Sequence, residues 1–154
     1  MEFVTRHFNE LTNTELYKLL QLRVAVFIVE QNCLYQDLDG KDLKSYHMLV
    51  FDKEMLIAVT RLVPPGISYE GYTSIGRVAT HIDHRRKGLG RLLMEKSIEE
   101  CERLFPGYNI KISAQTYLIP FYESLQFEKF GSEYLEDDMP HHAMIRHSLQ
   151  FNQH

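Results

Sequence analysis

The 154 residues carry 17 lysines and arginines against 21 aspartates and glutamates, a net charge of −4, with 44% hydrophobic and 25% charged residues. That balance argues against a protein that grips a nucleic-acid backbone, which needs a basic face. No apolar run approaches the ~18 residues of a membrane span, and the first six residues lack the shape of a signal peptide. Two cysteines, Cys33 and Cys101, are too few for a disulfide framework, so one domain over residues 1–154 in a reducing cytoplasm is expected.

Residues 3–8 alternate weakly and suit a first strand. Thr12-Asn13-Thr14-Glu15 has capping-box spacing, with Thr12 as N-cap, and Leu16, Leu19, Leu20, Val24 and Phe27 follow at helical spacing to about residue 28. Residues 30–45 are polar and carry Asp37, Asp39, Gly40 and Asp42; they read as a long loop too acidic to be buried. Residues 47–52 and 55–63 are apolar runs flanking Asp52-Lys53-Glu54, a hairpin signal. Pro64-Pro65-Gly66 ends the second, and residues 67–73 look like an excursion before an apolar, β-branched strand at 75–82. A helix then buries Leu89, Leu93, Met94, Ile98, Cys101 and Phe105 on one stripe and stops at Pro106-Gly107. A strand at 110–114, a short helix at 119–125 with Pro120 in its first turn, and an antiparallel pair at 127–135 and 142–151 complete the chain. The order predicts a layered α/β sheet, parallel where helices cross over.

Between the strand at 75–82 and its helix lies Arg85-Arg86-Lys87-Gly88-Leu89-Gly90-Arg91. Glycines let backbone N–H groups approach a ligand closely, and a helix N-terminus favours an anion. With cations beside it, this loop predicts a polyphosphate. It is not a P-loop, since no Lys follows Gly90, and not the dinucleotide fingerprint, since Leu93 stands where the third glycine belongs.

Arg85-x-x-Gly88-x-Gly90 on a strand–loop–helix unit resembles the acetyl-CoA signature of the GNAT N-acetyltransferases, whose loop amides hold the CoA pyrophosphate. Phe121-Tyr122-Glu123-Ser124-Leu125-Gln126-Phe127 resembles their F-Y-x-x-x-G-F pattern, with Gln126 in place of the glycine of a tight turn. Residues 29–42 and the late acidic run Glu136-Asp137-Asp138 before Pro140-His141 are similar to the ElaA branch of that family. The resemblance covers nearly the whole chain. It implies a mixed, splayed sheet of about seven strands with helices on both faces. It also implies acetyl-CoA as co-substrate and an amine acceptor. A small-molecule or peptide amine and a monomer or homodimer are expected, and no metal, since the neighbouring His141 and His142 point to opposite faces of a strand.

Carried onto this sequence, the resemblance implies that Val78, Ala79 and Thr80 line the pantetheine. Arg85, Arg86, Lys87, Gly88, Leu89, Gly90 and Arg91 would surround the pyrophosphate. Tyr122 would lie near the sulfur, where a phenol is a workable acid toward a thiolate. For the base, Glu30, His81, Glu136 and His141 stand open, with Glu30 placed by the first helix near the expected acceptor pocket. Acidic residues after the first helix and between the last two strands predict a cationic acceptor. Two other readings remain: a catalytically silent module of the same fold that binds CoA or a partner, and an unrelated anion-binding α/β protein.

Overall fold

The computed structural model describes residues 1–85 and 88–148. Strand β1 (Glu2–His7) is followed by helix α1 (Asn13–Arg23), started by the expected capping box. The Glu15 amide donates to Thr12 Oγ1 at 3.0 Å and the Thr12 amide donates to Glu15 Oε1 at 2.9 Å. The α-helix was expected to reach about residue 28. It ends at Arg23, and a wider π-helical turn over Val24–Glu30 takes over. Val24, Val26, Ile28 and Val29 crowd that segment with β-branched side chains, which fit an α-helical turn poorly.

Strands β2 (Tyr46–Asp52) and β3 (Met55–Val63) form the expected hairpin, with Lys53 in its turn at φ 58°. Strand β4 (Tyr72–Thr80) runs antiparallel to β3. Val59 faces Ala79 but Arg61 faces Gly76, so β4 carries one extra residue. Arg77, at φ 46°, sits in that bulge. Helix α2 (Leu89–Leu104) crosses over to β5 (Asn109–Gln115), which is parallel to β4. The two strands pair only at Tyr72–Asn109 and Thr73–Ile110 and then part. Helix α3 (Ile119–Glu123), β6 (Glu128–Glu136) and β7 (Met139–Arg146) follow, giving a seven-stranded sheet in the order β1-β2-β3-β4-β5-β7-β6. Strand β7 begins three residues before the expected position 142, because the pairing of Glu136 with Met139 closes the hairpin at Asp137-Asp138. It ends at Arg146, and residues 149–151, which the sequence assigns to it, lie outside the described residues.

Alternation along β2 and β3 sends neighbouring side chains to opposite faces, and each face has its helix. Leu19, Leu22 and Val26 pack on Leu49, Val59 and Ala79 on one face. On the other, Leu89 and Leu93 of α2 meet Met48, Val50 and Ala58, and its later turns meet Leu62, Ile110 and Ile112. Within the α2 stripe Cys101 is 1% exposed, and burial pushes its thiol up to about 12. A fully buried Leu such as Leu93 contributes about 1.5–3 kcal/mol. Those contacts fix the helix at whose start the glycine loop lies.

Candidate active site

The separation of β4 from β5 leaves a wedge whose one wall is Val78, Ala79 and Thr80. Val78 packs toward α2 and Ala79 toward α1, so the segment threads between the two cores. At the mouth stands the N-terminus of α2. Its N-cap is Gly88, at φ 73°, and no side chain caps it. The first helical bond runs from the Leu92 amide to the Gly88 carbonyl at 3.2 Å. The amides of Leu89, Gly90 and Arg91 precede it and have no partner within the helix. A Cβ added at Gly90 would meet no atom within 4 Å, so the space above its backbone is open. Uncapped amides beneath open space fit the cradle that a pyrophosphate needs. Arg86 and Lys87 lie outside the described residues.

The side chains around the loop are placed differently from the expectation. Arg85 turns back: its Nε and Nη2 donate to the Thr80 carbonyl at 3.0 and 2.8 Å, and its guanidinium pairs with both oxygens of Glu30. The Arg85 hydrogen bonds hold the Glu30 carboxyl below its ordinary range. Glu30 is therefore a poorer proton acceptor than the sequence suggests, and ties the π-helical turn to the end of β4. Arg91 reaches the other way. Its Nη1 donates to Ser124 Oγ at 2.9 Å, and its Nε pairs with Glu95 at 2.9 Å.

Tyr122 is half-buried on the α2 face, edge-on to Phe127 and Phe121 with ring centroids 5.7 and 5.2 Å away. Burial pushes its hydroxyl pKa up, so the phenol keeps its proton at neutral pH. Its carbonyl accepts from the amides of Leu125 and Phe127, and between them Gln126 adopts φ 71°. The glutamine thus takes the left-handed turn that the family pattern assigns to glycine. Glu30 is thus held by Arg85 at the end of β4, while Tyr122 packs among the residues of the α2 core. His81 uses Nδ1 to accept from the Asp83 amide at 3.1 Å. It also borders a cleft of about 400 Å³ with Lys18, Gln21, Met55 and Leu56.

The loop over residues 31–45 overturns the expectation that it is too acidic to be buried. Asp37 and Asp42 are 6% and 7% exposed. Arg23, 0% exposed, donates from Nε to Asp37 and from Nη1 to Asp42, both at 2.8 Å. Arg61 grips Asp39 with two bonds of 2.8 and 3.0 Å, and Arg77 of the β4 bulge pairs with Asp37 at 2.8 Å. Burial raises the pKa of Asp39, but the Arg61 fork outweighs it and holds the carboxyl at about 2. Three arginines from α1, β3 and β4 thus neutralise three aspartates. An arginine inside each apolar run was the sequence signal, and it pointed to partners that only the fold identifies. His47, buried beside them, is kept neutral by burial and lies 3.1 Å from the Asp42 carbonyl through Nε2.

Wedge, bulge and glycine-led helix together are the frame of an acyltransferase fold. The chain belongs to the GNAT acetyltransferase family: the family model described as "Acetyltransferase (GNAT) domain" matches residues 13–147. Protein ElaA of Escherichia coli K12 is 39% identical over 152 residues, covering 97% of this chain and 99% of that protein. The crystal structure of E. coli ElaA superposes with a TM-score of 0.87 over 94% of this chain and 98% of that one, at 39% identity. That of an acyl-CoA N-acyltransferase from Pseudomonas aeruginosa does so with a TM-score of 0.90, at 41% identity and the same coverage. Among the described residues, no group of three His, Cys, Asp or Glu side chains is placed to hold a metal, and no helix is long and apolar enough to cross a membrane.

Proposed function

We propose that the protein transfers an acetyl group from acetyl-CoA to a primary amine by direct attack of the amine on the thioester. The observation that carries this reading is the wedge between β4 and β5 with the uncapped start of α2 at its mouth. The P. aeruginosa relative described as an acyl-CoA N-acyltransferase supports it.

In this reading the amides of Leu89, Gly90 and Arg91 receive the pyrophosphate, continuing the expected cradle of Arg86, Lys87 and Gly88. The pantetheine lies along Val78, Ala79 and Thr80, and a backbone N–H near Ala79 faces the oxygen on which charge develops. The Thr80 carbonyl is taken by Arg85, so Arg85 shapes the strand end and Glu30 fixes Arg85; neither binds phosphate. The amine nitrogen bonds to the acyl carbon as the C–S bond breaks, and Tyr122 gives its proton to the sulfur. Its raised pKa keeps that proton available.

Calorimetric titration with acetyl-CoA, followed by thiol release and mass spectrometry with a panel of amines, tests this. Binding without release in any amine would make the protein a silent CoA-binding module. No binding would remove the reading altogether.

A further inference from the structure

The direct attack just described needs a proton acceptor for the ammonium, and Glu30 is held by Arg85. Register locates another candidate. Strands β4 and β5 run parallel, with Thr73 beside Ile110. Ala79 lies six residues beyond Thr73, of which the bulge absorbs one. Five residues beyond Ile110 is Gln115, and its partner on β7 is His141. His141 therefore stands at the height of Ala79, on the strand next to β5, which is the far wall of the wedge.

Its surroundings are built. His141 is 8% exposed, and its Nδ1 lies 2.8 Å from the Met139 carbonyl. Nδ1 thus carries the hydrogen, and Nε2 is left with its lone pair. Nε2 is 3.4 Å from Glu136, whose side chain is half-exposed. The ring stacks on Tyr134 at 26°, and the Tyr134 hydroxyl is hydrogen-bonded to Ser113. The other groups facing this cup are Tyr69, near Tyr134 and Glu136, and Lys111, whose ammonium lies 4.9–5.4 Å over the rings of Tyr69, Tyr72 and Phe130. Glu133 accepts from Thr116 at 2.9 Å. Lys111 is thus held on aromatic faces, and Glu136 is the carboxylate beside the imidazole.

We propose that His141, backed by Glu136, takes the proton from the acceptor ammonium; this rests on the acyltransferase reading above. The proton passes from nitrogen to Nε2, and the freed lone pair forms the bond to the acyl carbon. The electrons of the C–S bond leave on sulfur, which takes the Tyr122 proton. The second nitrogen proton goes to solvent as the tetrahedral adduct collapses to the amide. The imidazolium, paired with Glu136, releases its proton to solvent too, and Tyr122 regains one from it.

Acetyl-CoA turnover with tyramine and with 1,4-diaminobutane, followed by thiol release from pH 5.5 to 9, tests this. Wild-type kcat/KM is expected to rise with pH and then bend over as the base loses its proton. His141→Gln should lose about 10²–10⁴-fold and the bend, with acetyl-CoA affinity unchanged. Glu136→Gln should move the bend to lower pH, because the imidazolium loses its partner, and this variant decides the matter if His141→Gln does not fold. An unmoved bend in Glu136→Gln, or a wild-type pH profile in His141→Gln whatever its rate, overturns the proposal. Absence of amine-dependent release by the wild type would instead overturn the acyltransferase reading, and the proposal with it.

Discussion

Gly90 and Gly88 do different work in one motif. Gly88 is needed for its backbone, at φ 73°, whereas Gly90 has an ordinary φ and open space where a side chain would stand. Gly90→Asp is therefore expected to fold normally and to weaken acetyl-CoA binding at least tenfold, because a carboxylate occupies the anion's place; calorimetry beside circular dichroism checks both halves. Tyr122→Phe keeps the ring packing against Phe127 and removes the proton. Its turnover should fall about 10²–10⁴-fold with affinity for acetyl-CoA nearly unchanged. The glycine-led start of α2 and the turn after Tyr122 were legible because each spacing has a backbone reason. The partner of Glu30 was not: Arg85 is 55 residues away in sequence, and its pairing depends on how a π-helical turn meets the end of β4.

Among the elements, the 31–45 segment shows where sequence reasoning ran out. Acidic, irregular sequence usually means a solvated loop, and only the convergence of Arg23, Arg61 and Arg77 reverses that. Asp42→Asn would leave Arg23 and Arg61 short of a carboxylate, at a cost of about 3–5 kcal/mol, read from urea unfolding. The pH dependence has a definite sign. Asp39 and Asp42 are held below their unfolded value of 3.8, so their stabilisation is present above about pH 4 and is lost as pH falls toward 2. A melting temperature flat from pH 5 to 2.5 would contradict the network. At the turn after α3, Gln126→Gly should stabilise by roughly 0.5–1 kcal/mol, since relief of the left-handed strain exceeds the added chain entropy. The hairpin of β2 and β3, the capping box and the α2 stripe were legible because each is set by local chemistry.

At the scale of the molecule, the charge division expected from the sequence is redrawn. Asp37, Asp39 and Asp42 are spent on internal arginines, so neutralising all three should unfold the protein rather than alter its choice of amine. The outward acidic group is the β6–β7 turn, where Asp137 and Asp138 adopt φ 51° and 63°. Asn tolerates that conformation. Asp137→Asn with Asp138→Asn should thus leave the fold intact and reduce the preference for cationic over neutral amines at low salt, and the difference should shrink as salt is added. The sheet order was not written in the sequence, because β7 inserts between β5 and β6 through pairings that no local pattern encodes.

The burial of Cys101 between its own helix α2 and the sheet makes that thiol a clock. A thiol held near 12 does not ionise in the native protein and cannot react with a labelling reagent until the helix lifts from the sheet. Half-buried Cys33 should react first and Cys101 much later, at a rate set by how often α2 opens. In the proposed reading the same helix offers its N-terminus to acetyl-CoA, so a bound ligand must be released before the helix lifts. With acetyl-CoA at 100 times its Kd, labelling of Cys101 should slow about 100-fold while Cys33 is unaffected. Mass spectrometry of the labelled chain would thereby time the motion of the binding helix without adding a probe to the protein.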